Sequence, residues 1–133
     1  MITLEEAVLT YVAAWNENDE TKQRELIEKC WADHGTVTSN YEHIAGREAL
    51  LESIGTWRRV CPNDRAVFTS GIEHHHHWFR FTAMVIRPDG TTYSEVLDIG
   101  EVEPDGRIVR IISFYGPLPP IPATWPTDLT HNI

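Results

Sequence analysis

An α+β fold is what this sequence predicts: three N-terminal helices wrapped by a strongly curved antiparallel sheet, forming a barrel-like cone with an internal pocket. Three observations predict it. Residues 3–61 carry apolar positions at helical spacing, divided by capping and stop signals. Residues 65–116 alternate apolar and polar in the manner of strands. Asp89-Gly90 and Asp105-Gly106 punctuate that second stretch as two-residue hairpin turns would.

The first helix opens on Thr3-x-x-Glu6, which has the form of a capping box, and continues through Leu4, Val8, Tyr11, Val12 and Trp15 at helical spacing. Asn16 to Glu20 is a polar break, and Asp19 is the expected cap of a second helix over residues 21–31. Leu26, Ile27, Cys30 and Trp31 form its apolar side, and Gly35 is expected to close it. Residues 36–39 are short and β-branched enough for a strand, and residues 40–45 form a loop carrying Tyr41 and His43. Gly46-Arg47-Glu48-Ala49 starts a third helix with Leu50, Ile54, Trp57 and Cys61 in one stripe, stopped by Pro62. Strands are then expected over 65–72, 73–87, the segment around Val96–Val102, and 107–115. The run Pro117-Leu118-Pro119-Pro120-Ile121-Pro122 is too rich in proline for ladder or helix, so residues 1–118 read as one domain and 119–133 as a surface tail. Trp125 and Leu129 are candidates to pin that tail to the body or to a neighbouring subunit.

With 133 residues, one domain with a sizeable core is the simplest reading. A formal net charge of −9 argues against nucleic acid and against anionic membrane surfaces. No apolar run reaches the roughly 18–20 residues of a spanning helix, and the N-terminal residues lack the basic and apolar regions of a signal peptide. Cys30 and Cys61 make neither a disulfide framework nor a metal signature, so buried reduced thiols in a cytoplasmic protein are expected.

Counting back from the two Asp-Gly turns sets a register. Phe81 falls opposite Asp98, and Asp98 opposite Ser113. One face then collects His75, His77, Phe79, Phe81, Ala83 and Val85, with Val96, Asp98, Gly100, Val102, Val109, Ile111, Ser113 and Tyr115 across from them. This is the concave face. The other carries Arg80, Glu95, Glu101 and Arg110, with Arg80 expected to pair with one of the two glutamates. It also holds Leu97, Ile99, Ile112 and Phe114, too much apolar surface for water, so a C2 homodimer through this outer face is expected.

The order of Tyr11-Val12-Ala13-Ala14-Trp15-Asn16, Trp31-Ala32-Asp33, Gly46-Arg47-Glu48-Ala49, Leu97-Asp98 and Asp105-Gly106-Arg107-Ile108 resembles the nuclear transport factor 2-like superfamily, which includes SnoaL-like polyketide cyclases and ketosteroid isomerases. The resemblance covers residues 3–118, and Ser70 to His76 with Arg80-Phe81 also resembles a stretch of uncharacterised SnoaL-like proteins. It implies that Tyr11 stands where the isomerases place a tyrosine donating to the substrate oxyanion, and Asp98 where they place a protonated aspartic acid with the same task. Where they carry the proton-abstracting carboxylate, this sequence has Ser39.

Asp98 is the leading candidate on physical grounds as well, because a carboxylate on an apolar face is costly unless paired, hydrogen-bonded or neutral. It either lines a pocket or is buried against an arginine. Tyr11 is either an oxygen donor or a half-buried core tyrosine. His75 and His77 share a strand face and either move a proton or merely line the rim. A metal would need a third ligand near them, so none is expected. Trp15, Tyr41, Trp57, Phe79, Phe81 and Ser113 complete the expected substrate-binding surface. Two functions follow. One is a cofactor-free isomerase, cyclase or dehydratase acting on a small apolar carbonyl or hydroxyl compound; the other is a non-catalytic ligand-binding or dimerisation module.

Overall fold

The first two helices begin where a side chain can take up their free amide donors. In the computed structural model, which describes residues 1–129, the Thr3 hydroxyl accepts from the Glu6 N–H at 3.2 Å and starts α1 (Leu4–Trp15). The Asp19 carboxylate accepts from the Lys22 N–H at 3.0 Å and starts α2 (Glu20–Cys30). Ala7, Val8, Tyr11 and Ala14 of the first helix and Ile27 and Cys30 of the second are buried.

The second helix ends sooner than its pattern predicts. Trp31 is extended (φ −131°, ψ 130°) and opens β1 (Trp31–Thr38), so the strand begins five residues before the expected Thr36. The indole is fully buried, and it lies so close to its own strand that a Cβ at Gly35 would meet the ring at 3.1 Å. Gly35 is therefore a seat for Trp31 and not a helix stop. β2 (His43–Ala45) pairs back on β1, and α3 (Arg47–Val60) follows, burying Leu50, Leu51 and Ile54.

The remaining strands are β3 (Arg65–Phe68), β4 (Glu73–His75), β5 (Trp78–Ile86), β6 (Val96–Val102) and β7 (Ile108–Tyr115). They join the first two in one seven-stranded sheet of order β2-β1-β7-β6-β5-β3, with β4 paired to β5. The α+β cone of the sequence reading is present, but its sheet is mixed: β1 runs parallel to β7, and every other pair is antiparallel. The chain crosses over through α3 and the meander before returning beside β1, and a parallel pair needs such a long connection.

The expected register is present at its centre. Phe81 lies opposite Asp98, and Asp98 opposite Ser113. Alternation fails at two points: Ile86 pairs with Thr92, one residue off the register of Ala83 with Val96, and a bulge after Glu101 sets Val102 against Ile108, so Ile108 and not Val109 turns into the core. The expected strand 73–87 also breaks. His76 and His77 (φ 52° and 70°) form a two-residue turn that sets His75 opposite Trp78, so β4 and β5 are a hairpin of their own. Between β3 and β4, Ser70 leaves the ladder while its hydroxyl accepts from the Thr82 N–H at 2.8 Å.

Val8, Ile27, Cys30, Trp31, Leu50, Ile54, Ile108 and Ile111 are the largest fully buried side chains, filling the space between helices and sheet. Asn16 closes one side of this arrangement. Its amide pairs with Ala66 in both directions at 2.8 Å, donating to the carbonyl and accepting from the N–H of edge strand β3. On the outer face Arg80 pairs with Glu73 at 2.7 Å and not with Glu95 or Glu101, because the unforeseen hairpin brings Glu73 directly across. Beyond Gly116 the chain leaves the sheet, and Leu118, Ile121 and Trp125 are exposed, so Trp125 does not pin the tail within one copy. The Leu129 side chain and residues 130–133 of the expected tail lie outside the described residues. Among those described, no helix is long and apolar enough to cross a membrane.

Candidate functional site

The inner face of the sheet and the facing sides of α1 and α3 enclose a cavity of about 800 Å³. Period-two alternation delivers Phe81, Asp98 and Ser113 to it from three adjacent strands. Helical spacing delivers Tyr11 and Trp15 from α1, and Ser53, Thr56 and Trp57 from α3. The aromatic side chains form a connected wall. Tyr11 and Trp15 meet edge to face at 6.4 Å, and Trp15 and Trp57 lie 5.9 Å apart.

Asp98 is 8% exposed, and the Ser113 hydroxyl donates to its Oδ1 at 2.5 Å. No lysine or arginine pairs with it among the described residues, so the buried ion pair considered from sequence is not formed. Burial pushes its carboxyl up to about 6, against the pull of the Ser113 hydrogen bond. An acid with that value is about one-tenth protonated at pH 7. It is therefore a group that changes charge near neutrality, not one locked in the neutral form. Burial also holds the Tyr11 phenol well above its ordinary value, and the charge of Asp98 pushes the same way. Tyr115 is raised for the same two reasons in the same order.

Six of the ten expected catalytic and substrate-binding side chains line this cavity: Tyr11, Trp15, Trp57, Phe81, Asp98 and Ser113. Phe79 does not. It is buried beneath the lining with its ring against Gly100, where any Cβ would overlap it. Tyr41 is 79% exposed and stands at the edge, 5.3 Å from the ring of Tyr115, while Asn40 Oδ1 accepts from the Tyr115 N–H at 2.9 Å. His75 and His77 do not share the face of Phe79 and Phe81. Both are exposed, one at the end of β4 and one in the turn, because the chain reverses between them. His75 Nδ1 instead lies 3.0 Å from Nδ1 of His76. Among the described residues no group of three or more His, Cys, Asp or Glu side chains could hold a metal ion.

Several lining residues were not singled out from sequence. Ser53 and Thr56 stand at i and i+3 on α3, on the side of the already expected Trp57, and that spacing was legible. Glu42, Glu52 and Tyr93 carried no such signal. Ser39 reaches the cavity from the end of β1, and its hydroxyl accepts from the backbone N–H groups of Tyr41 and Glu42 at 3.1 and 3.3 Å.

The whole architecture is shared with solved structures. A SnoaL-like family protein from Agrobacterium tumefaciens strain C58, named as a candidate isomerase, is 27% identical, with a TM-score of 0.77 over 84% of this chain and 95% of that one. An NTF2-like protein of unknown function from Cytophaga hutchinsonii matches at 15% identity and a TM-score of 0.67, over 88% of this chain and 93% of its own. Another from an Exiguobacterium species matches at 17% identity and 0.64, over 84% and 99%. No family model and no curated protein matches the sequence. The fold is that of NTF2-like proteins, and the chain is a member of the NTF2-like superfamily.

Proposed function

We propose that the chain is a SnoaL-like protein whose cavity holds a compact, mostly apolar compound by a carbonyl or hydroxyl oxygen, and that it moves a proton on that compound without a cofactor. The observation that carries this reading is Asp98, a buried acid at the wall of an apolar cavity with Ser113 as its hydrogen-bond partner. Tyr11 stays protonated across the physiological range and serves as the donor to the ligand oxygen. Asp98 titrates near neutrality and serves as the proton carrier, taking a proton from the carbon beside a carbonyl and returning it. Isomerisation, cyclisation and dehydration through an enol-like intermediate all fit that pair.

Binding without chemistry is the second reading. Ser39 stands at the place of the abstracting carboxylate and is held by backbone amides, and the histidines expected to shuttle a proton lie outside the cavity. In either case the half-buried Leu97, Ile99 and Ile112 and the exposed Phe114 on the outer face support a C2 homodimer. Residues 1–118 form the working domain and 119–133 its tail, and the free thiols of Cys30 and Cys61 fit the cytoplasm.

A bicyclic ketone in D2O separates the two readings. With 2-tetralone as probe, NMR follows deuterium uptake at the carbons beside the carbonyl while tryptophan fluorescence follows binding. Exchange faster than in buffer, removed by Asp98→Asn, is the expected result. Binding without faster exchange would leave the second reading, and no binding would remove both.

A further inference from the structure

We propose that the cavity selects an apolar compound carrying a basic nitrogen, protonated at neutral pH, over carboxylate or phosphate compounds of the same skeleton. This rests on the reading of the cone as a ligand site and names the class of ligand it takes.

Charge is the first ground. The residues lining the cavity include three carboxylates, Asp98 inside and the exposed Glu42 and Glu52, and no lysine or arginine. His43 also lines it, but its Nδ1 is engaged by the Thr38 hydroxyl at 2.7 Å. Two guanidinium groups touch the aromatic wall without lining the cavity. Arg58 lies 4.6 Å from the Trp57 ring centre and donates to Asn18 Oδ1 and to the carbonyls of Pro62 and Asp64. Arg87 lies 3.8 Å from that of Tyr93 and donates to Thr91. An anionic guest would leave water for a site with no cation to receive it, which is costly.

The second ground is independent of the rim. Asp98 is more than nine-tenths buried, and Ser113 is its single hydrogen-bond partner among the described residues, met at Oδ1. Its other oxygen, Oδ2, is left for whatever occupies the cavity. Because the acid titrates at about 6, that oxygen is anionic in most molecules at pH 7.5. The walls add a third contribution. Tyr11, Trp15, Trp57 and Tyr115 present ring faces and edges to the cavity, and an ammonium group is attracted to such faces once desolvated. The net charge of −9 concentrates cations around the whole chain in the same sense.

Three probes on one skeleton test this: 2-(aminomethyl)naphthalene, 2-naphthalenemethanol and 2-naphthoate, titrated by calorimetry into the full chain at pH 7.5 and low salt. The amine is expected to bind about tenfold tighter than the alcohol, and the carboxylate about tenfold weaker. In Asp98→Asn combined with Glu42→Gln, the amine's advantage over the alcohol should fall to within about threefold. An alcohol that binds as tightly as the amine, or a carboxylate that matches the alcohol, overturns the proposal and leaves the ligand site standing. Amine binding undiminished in the double variant would belong to the acidic surface and overturns it too. Should none of the three bind, the ligand site itself fails and the proposal with it.

Discussion

Exchanging Asp98 for asparagine should make the protein more stable at pH 7 and leave it unchanged at pH 4. Asparagine keeps the shape and can still accept from the Ser113 hydroxyl, but it cannot ionise. In the wild type, burial raises the carboxyl from its ordinary 3.8 to about 6, so the folded state holds this proton more tightly than the unfolded chain does. A raised value on an acid means that stability is greatest below about pH 4, falls as the pH climbs through about 6, and is level beyond. The displacement corresponds to about 3 kcal/mol at pH 7. That is a sizeable share of a stability of ~5–15 kcal/mol. Urea unfolding followed by the fluorescence of the five tryptophans, at half-unit steps from pH 4 to 8, measures it directly. Subtracting the two curves removes every other titrating group. The difference should grow from near zero to about 2–3 kcal/mol across pH 4–6.5 and then hold. Parallel curves, or a variant less stable than wild type at pH 7, would mean that the acid ionises without penalty, and the site would lose its physical basis.

Replacing His76-His77 by Asn-Gly relieves two side chains held at positive φ and should add about 1–2 kcal/mol in thermal unfolding, with probe binding in the cavity unchanged. A loss of binding would return the histidines to the site. Gly100→Ala forces a methyl into the Phe79 ring and should cost about 1–3 kcal/mol or more, read as a drop in Tm. Phe114→Glu places a charge on the outer sheet face at a side chain already 55% exposed. It should leave the monomer's unfolding curve within about 0.5 kcal/mol of wild type. The mass by light scattering should fall from dimer to monomer; a wild type that is monomeric at micromolar concentration would rule the interface out.

The centre of the sheet was legible although neither turn is the two-residue one the count assumes: the Gly90 N–H closes on the Arg87 carbonyl and the Gly106 N–H on the Glu103 carbonyl, and a one-residue irregularity beyond each turn brings Phe81 opposite Asp98 and Asp98 opposite Ser113. The same count pairs the acid with its serine. What escaped had no local marker. His76-His77 contains neither the glycine nor the asparagine that announces a tight reversal, and four consecutive histidines read equally well as a continuous strand. One missed turn removed two expected catalytic residues from the cavity. Trp31 fits a helical stripe as well as a strand, and its place was decided by packing on Gly35, a glycine that reads equally well as a helix stop, and by pairing with the distant Ile108. The bulge after Glu101 moved the inward position from Val109 to Ile108, two residues that hydrophobicity alone cannot tell apart. The pairing of β1 alongside β7 joins segments about seventy residues apart, beyond the reach of any local pattern.

Asn16 has a consequence beyond the helix it follows. By offering a donor and an acceptor to Ala66, its amide imitates the next strand at the free margin of the sheet. An open margin is where a second molecule would add itself and begin a fibril, so one side chain acts as a plug against self-templating. Because the plug hangs from the residue after Trp15, the indole beside the cavity and the sheet's margin are tethered to the same point, and loosening one slackens the other.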